Sequence, residues 1–329
     1  MSRTAMVRII VDKLKLANTQ QEKADVLSYY DKETLFKRIL SYTYNPLIQF
    51  GMSDWQPKTP GREFGMGISK FMHIPEDIFQ HKFTRDEAVF ACNLAVSHMN
   101  AEEVEIFSGM LRKDLGVGLE IATINQIWPD LVPEYPLQTA TEFTSVEFEK
   151  FTMPPFVAQK MSTGLRVNII VRGNTVEFRR GNGEFIQGWD RYIEQFSKLA
   201  QNGANVFDGH AVVVDDQANI IATDNQAVLD ADPENIRFIL WDVIRYDGFV
   251  QGKDQRIGYN WRFNGLEHMM ILAVESNPQP CYRAPEQLVC GTIADALEYA
   301  KQTGDIVIKN LPGTWSKGPS SNELIVRKS

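Results

Sequence analysis

Apolar residues recur at three- and four-residue spacing through most of the first 128 positions of the chain. Val7–Leu16, Lys23–Asn45, Asp86–Met99 and Ala101–Leu115 therefore read as amphipathic helices. Asn100 ahead of Ala101-Glu102-Glu103 predicts an N-cap with acids in the first turn. Thr84, with Glu87 three residues on, predicts a capping box. The Gly- and Pro-rich segment 51–70, containing Trp55-Gln56-Pro57-Lys58, predicts loop. Pro133, Pro136 and the polar stretch 138–150 predict a linker. From about residue 151 the period shortens to two. Strands are expected at 156–161, 165–171, 175–179, 211–214, 237–244, 269–274, 305–309 and 323–327, with helices at Trp189–Asn202 and Ile293–Gln302. A helical first half followed by an α+β second half on antiparallel sheets accounts for this pattern.

The focus of the second half is Phe156–Arg172, FVAQKMSTGLRVNIIVR. It reads as a strand, a tight Ser-Thr-Gly turn at 162–164, and a second alternating strand. Lys160 and Met161 sit side by side before the turn and Arg166 just beyond it.

Composition narrows the possibilities. The chain has 329 residues, 43% hydrophobic and 23% charged, which is enough for two domains with substantial cores. No apolar run approaches the roughly 20 residues a membrane span needs, and the N-terminus lacks the apolar core of a signal peptide. Cys92, Cys281 and Cys290 are an odd number without metal-ligand spacing. They fit a reduced, cytoplasmic setting. The five histidines do not cluster with cysteines, which argues against zinc. A net charge of −8 argues against nucleic-acid binding over the whole surface but leaves room for a local basic groove.

Two stretches carry a resemblance. In the first half, Arg112-Lys113-Asp114-Leu115, then Gly116-x-Gly118, then Asn125-x-x-Trp128-Pro129-x-Leu131-x-Pro133 resembles the end of the helical DNA-binding domain of phage-type (T-even-like) ATP-dependent DNA ligases. In the second half five signals occur in the order of the ligase nucleotidyltransferase domain. They are Lys160–Arg166, Phe178-Arg179-Arg180-Gly181-Asn182, Phe207-Asp208-Gly209-His210, Phe238-Ile239-Leu240-Trp241-Asp242, and Gly304–Asn310 followed by a Gly-Thr-Trp turn and Arg327-Lys328. Each signal alone is weak; five in order behind a matching first half cover most of the chain.

The resemblance implies a multidomain protein. It would have an all-α DNA-binding domain (1–130), a linker (131–150) and an α+β nucleotidyltransferase domain (151–329) of the ATP-grasp-like DNA ligase adenylation type. In that family a lysine amine attacks the α-phosphate of ATP and becomes lysyl-AMP, with Mg²⁺ neutralising the phosphates. By this resemblance Lys160 is the candidate nucleophile. Met161, Arg166, Arg179, His210, Phe238, Trp241, Lys309 and Lys328 are candidates to meet the nucleotide. Arg112, Lys113, Arg256 and Arg262 are candidates for DNA phosphates, and Asp208 and Asp305 for the metal. Each has a plainer alternative: solvated charge for the cations, sheet core for the aromatic residues, a hydrogen-bonded side chain for His210.

The chain departs from the family plan where the chemistry lies. Against Lys-x-Asp-Gly-x-Arg, counting back from Gly164 puts Met161 at the nucleophile's position and Thr163 at the aspartate's. Counting forward from Pro154 restores Lys160 but adds a residue before Gly164. Lys160 and Met161 lie on opposite faces of a regular strand unless a bulge re-aims one of them. The Glu expected after Asp208-Gly209 is His210, a poor ligand for Mg²⁺. The Glu-Gly of the fifth motif reads Gly304-Asp305, and one lysine of the terminal Lys-x-Lys is absent at Val326-Arg327-Lys328. The sequence stops at Ser329, where the ligases continue into an OB-fold domain. Three expectations follow. The first is a catalytically degenerate ligase-like protein that binds duplex or nicked DNA, a nucleotide or a protein partner. The second is an active enzyme using Lys160, ATP and Mg²⁺. The third is an interaction protein without DNA affinity or cofactor.

Overall fold

A computed structural model of the chain describes residues 3–328 apart from 53, 81, 152–154, 174, 202 and 277–279. The chain divides into two compact units, Met1–Glu134 and Tyr135–Ser329.

The described residues of the first unit form helices and no strand: α1 (Arg3–Leu16), α2 (Gln20–Tyr29), α3 (Thr34–Tyr44), α4 (His73–Phe79), α5 (Arg85–Val96), α6 (Ala101–Leu111) and α7 (Ile121–Ile127). Thr84 and Asn100 cap α5 and α6 with full capping boxes, as their sequences predict, and Thr19 does the same for α2. The apolar faces of these helices meet in one core that includes Ile10, Leu14, Leu27, Phe36, Ile39 and Phe107. Lys23–Asn45 is two helices rather than one. The break falls at 30–33, where the Asp31 carboxylate accepts from Trp128 Nε1 at 2.6 Å and pairs with Lys37. Tertiary partners there outweigh continuous helical periodicity.

The second unit mixes helices with largely antiparallel sheets. Its elements are β1 (Gln138–Glu142), α8 (Ser145–Phe148), β2 (Phe156–Lys160), β3 (Leu165–Arg172), β4 (Thr175–Arg180), α9 (Ile193–Leu199), β5 (Ala204–Val214), β6 (Ile220–Ala222), α10 (Asn225–Asp230), β7 (Ile236–Arg245), α11 (Tyr246–Val250), β8 (Lys253–Asp254), α12 (Tyr259–Ser276), β9 (Tyr282–Arg283), β10 (Gln287–Cys290), α13 (Ile293–Thr303), β11 (Ile306–Lys309), β12 (Trp315–Ser316) and β13 (Gly318–Val326). One sheet has the order β1-β13-β11-β2-β10; the other runs β4-β3-β5-β7-β9 with β6 on β5. The parallel pairs are β1 with β13 and β7 with β9. The stretch 138–150, whose polarity suggests a linker, supplies an edge strand and a short helix to this unit.

The run 269–274 is not a strand. It continues α12, with Phe263, Leu266 and Ala273 buried at helical spacing while Ile271 and Val274 face out. A short apolar run is ambiguous by period, and here the length of the helix decides it. No helix among the described residues is long and apolar enough to cross a membrane.

Alternation in the second sheet sorts its residues. Leu165, Val167, Ile169 and Val171 of β3, Phe207 and Ala211 of β5, and Phe238 and Leu240 of β7 enter a core shared with Phe196 and Leu266 of the covering helices. Arg166 and Asn168, Asp208 and His210 lie on the opposite face.

Candidate functional site

Phe156–Arg172 is not a hairpin. β2 belongs to the first sheet and β3 to the second, so residues 161–164 carry the chain from one sheet to the other. Gly164 makes the crossing feasible. Its φ is +153°, and a Cβ there would lie 2.6 Å from the carbonyl oxygen of Ala211. Met161 N–H donates to the Asp305 carbonyl at 2.9 Å and Lys160 N–H to the Glu286 carbonyl at 3.0 Å, which fixes the start of the crossing.

A cavity of about 280 Å³ opens beside this connector and is lined from both sheets. The first sheet contributes Gln159, Lys160, Lys309 and Glu323, and the second contributes Arg166, His210 and Trp241. Lys160 and Met161 both line it. The strand ends at Lys160, so the alternation that would separate the two residues no longer applies at Met161, and no bulge is needed. The Lys160 side chain is exposed and makes no hydrogen bond or ion pair among the described residues. The forward count from Pro154 starts outside the described residues.

Trp241 faces the cavity, opposite the core residues Phe238 and Leu240, and a bulge falls at it. Asp208 pairs with Asp242 and Gly209 with Leu240, leaving Trp241 as the extra residue of β7. Its indole packs edge-on against the His210 ring at 4.7 Å and under the Arg166 guanidinium at 5.5 Å. His210 Nδ1 lies 2.9 Å from Ser162 Oγ, tying the connector to β5. Burial, then the neighbouring Arg166 charge, pulls the His210 pKa down to about 4 against the raising effect of Ser162. The imidazole is neutral at pH 7.

The charges lining the cavity are Lys160, Arg166 and Lys309 against Glu323. Lys309 and Glu323 are cross-strand neighbours and pair at 3.0 Å. Burial pushes the Glu323 carboxyl up, and the Lys309 ammonium more than offsets this, leaving its pKa below the usual range. With Arg166 neutralised by Asp208 and Lys309 by Glu323, Lys160 is the uncompensated charge in the lining, and together with the indole it suits a planar anionic ligand.

The carboxylates do not assemble. Asp208 accepts Arg166 Nε at 3.2 Å, Arg166 Nη2 at 2.7 Å and Asn168 Nδ2 at 3.1 Å. Asp305 accepts Arg327 Nη1 at 3.0 Å and the Lys328 N–H at 2.8 Å. Among the described residues no three His, Cys, Asp or Glu side chains gather as a metal site. With Asp208 committed to Arg166 and His210 a nitrogen donor, the residues present do not fit Mg²⁺, which demands oxygen ligands.

Other candidates lie elsewhere. Phe238 is fully buried among Phe178, Trp189, Tyr192 and Phe196 and does not reach the cavity. Arg179 is 1% exposed, its guanidinium on Glu177, so it is a core ion pair rather than a phosphate ligand. Arg262 is likewise buried, bidentate on Asp242 at 2.8 and 3.0 Å, and cannot meet DNA without breaking that pair. Lys113 donates to the carbonyls of Tyr42 and Asn45 at the end of α3, a helix-capping role. Arg112 is exposed, Arg256 pairs at the surface with Asp247, and Lys328 is exposed. Sequence reasoning missed Gln159, Ser162 and Glu323. The Lys309–Glu323 pair is visible only once the register of β11 and β13 is known.

No protein-family model matches the chain. The DNA ligases of enterobacteria phages T4 and T6 are each 22% identical to it over 370 aligned residues, covering 96% of this chain and 74% of theirs. A solved structure described as Pmar-Lig_Pre. superposes with a TM-score of 0.51 at 18% identity, covering 98% of this chain and 77% of that one. That second likeness is one of fold. Motif order and sequence similarity over 96% of the chain agree: the chain resembles the phage-type ATP-dependent DNA ligases.

Proposed function

We propose that the chain is a catalytically degenerate ligase-like protein. Its helical unit, Met1–Glu134, is a DNA-binding domain, and the following unit, Tyr135–Ser329, is of the nucleotidyltransferase type. The observation that carries this reading is the engagement of Asp208. The carboxylate that the resemblance assigns to the metal is held on both oxygens by Arg166, and Asp305 is held by Arg327 and a backbone N–H. The cavity retains groups suited to a nucleotide: Trp241 for the base, Arg166, Lys309 and Lys160 for phosphate. The exposed Arg112, Arg256 and Lys328 are the cations left to meet DNA phosphates. Binding rather than bond-making is the function these arrangements support, with DNA as the first partner and a protein partner as the second.

Trp241 supplies the test. AMP entering the cavity should change tryptophan fluorescence, and Trp241→Phe should remove most of that change. Nicked duplex should bind at low salt and dissociate as salt rises, since phosphate contacts release counterions. AMP that leaves the fluorescence unmoved, together with no DNA binding at low salt, would reject the reading.

A second reading has one observation in its favour. Among the described residues the Lys160 ammonium, which lines the cavity, has no hydrogen-bond or ion-pair partner. An adenylyltransferase using Lys160, ATP and Mg²⁺ would exploit that freedom, but only if Arg166 released Asp208.

A further inference from the structure

The helix α12 is apolar on two sides. Tyr259, Phe263, Leu266 and Ala273 are buried against the rest of its unit. The opposite stripe carries Trp261, Asn264, Gly265, His268, Ile271 and Leu272, at the three- and four-residue spacing of one helix face. Trp261 is 71% exposed, Ile271 is 65% exposed, and Leu272 is exposed beside it. Single exposed apolar residues need no explanation, but three large ones along one helix face mark a surface that meets a partner.

The stripe itself indicates which partner. No Asp, Glu, Lys or Arg falls in it, although the chain carries a net charge of −8. Two like-charged copies can therefore meet on this face with little repulsion, which the acidic remainder of the surface opposes. Along the helix the order is apolar, polar, apolar: Trp261, then Asn264 and His268, then Ile271 and Leu272. Turned antiparallel, the stripe matches itself. Trp261 then meets the partner's Ile271 and the partner's Leu272, and the polar residues meet at the centre. Gly265 lies in that centre with open space where a Cβ would stand, so two backbones can approach closely there.

We propose that α12 is a self-association surface, on which two copies of the chain pack antiparallel about a two-fold axis passing between Gly265 and His268. The contact runs for about 17 Å along each helix. One helix face per copy falls short of the roughly 1,200 Å² buried by stable complexes, so the dimer is weak and depends on concentration. The surface is argued from α12 alone and does not depend on the ligase-like reading.

Sedimentation velocity of the full chain tests it, over concentrations from about 1 to 500 µM that bracket a weak dissociation constant. The wild type should show a reversible monomer–dimer equilibrium. Trp261→Lys and Leu272→Glu should each weaken it about tenfold or more, because each buries an unpaired charge in the contact. Both positions are exposed, so the melting temperatures of the dilute variants should match the wild type. Mixing the two variants should restore association, since the antiparallel pair sets the new lysine against the partner's new glutamate. A wild type that stays monomeric throughout, or dimers that both substitutions leave unchanged, overturns the proposal. A mixture that associates no better than either variant alone overturns the antiparallel pairing.

Discussion

Both oxygens of the Asp208 carboxylate are taken by one residue, Arg166, through Nε at 3.2 Å and Nη2 at 2.7 Å. The pair is partly to fully buried, with the carboxylate 5% exposed. A buried bidentate pair is costly to break from one side, because the abandoned charge has no water to turn to. Arg166→Met is expected to destabilise the second unit by about 3 kcal/mol. Urea unfolding measures this directly, and the double change with Asp208→Asn should recover part of the loss.

His210 gives a pH signature. Its folded pKa, about 4, lies below the ordinary value of 6.5, so the unfolded chain binds the proton first as pH falls. Stability contributed by the neutral imidazole is complete above pH 6.5 and is lost between 6.5 and about 4, at most about 3 kcal/mol in all. The difference in unfolding free energy between wild type and His210→Gln, followed by urea titration from pH 7 to pH 4.5, should shrink steadily. A difference that does not vary with pH contradicts the assignment.

The two aromatic residues of Phe238-x-x-Trp241 should separate cleanly. Phe238→Ala removes a fully buried ring and should cost about 3–5 kcal/mol of stability. Trp241→Ala removes a ring from the cavity wall and should cost less stability. It should weaken AMP binding about tenfold, in line with a lost stacking contact. Thermal melts and AMP titrations of the two variants check both halves.

Gly164→Ala probes the crossing between sheets. The added Cβ meets the Ala211 carbonyl oxygen at 2.6 Å in a backbone region that disfavours side chains. A loss of about 2 kcal/mol or more is expected, with the cavity distorted as well. Unfolding midpoints together with AMP affinity read out both effects.

Much of this was legible in the sequence, and the misses have particular causes. Thr84 and Asn100 announced their helices because capping is local chemistry. The strands around Leu165–Arg172 and Ile236–Arg245 followed from alternation. Alternation also separates Phe238 from Trp241, since residues three apart face opposite sides of a strand, and the structure sends one to the core and the other to the cavity. The fates of Arg179, Arg262 and Lys113 were not legible. Arg262 is decided by Asp242 and Lys113 by the carbonyls of Tyr42 and Asn45, partners remote in sequence, and Arg179 by the burial of its strand face, which it shares with Glu177. The passage of 161–164 between two sheets was equally hidden, because a short turn with glycine reads as a hairpin until strand partners are known.

The central claim is that the cavity binds without forming a covalent adenylate. Incubation of the full chain with α-labelled ATP and Mg²⁺, followed by denaturation and counting of protein-bound label, tests it most directly. The account predicts no label above that of Lys160→Ala. Label that survives denaturation in the wild type and disappears in Lys160→Ala would contradict it.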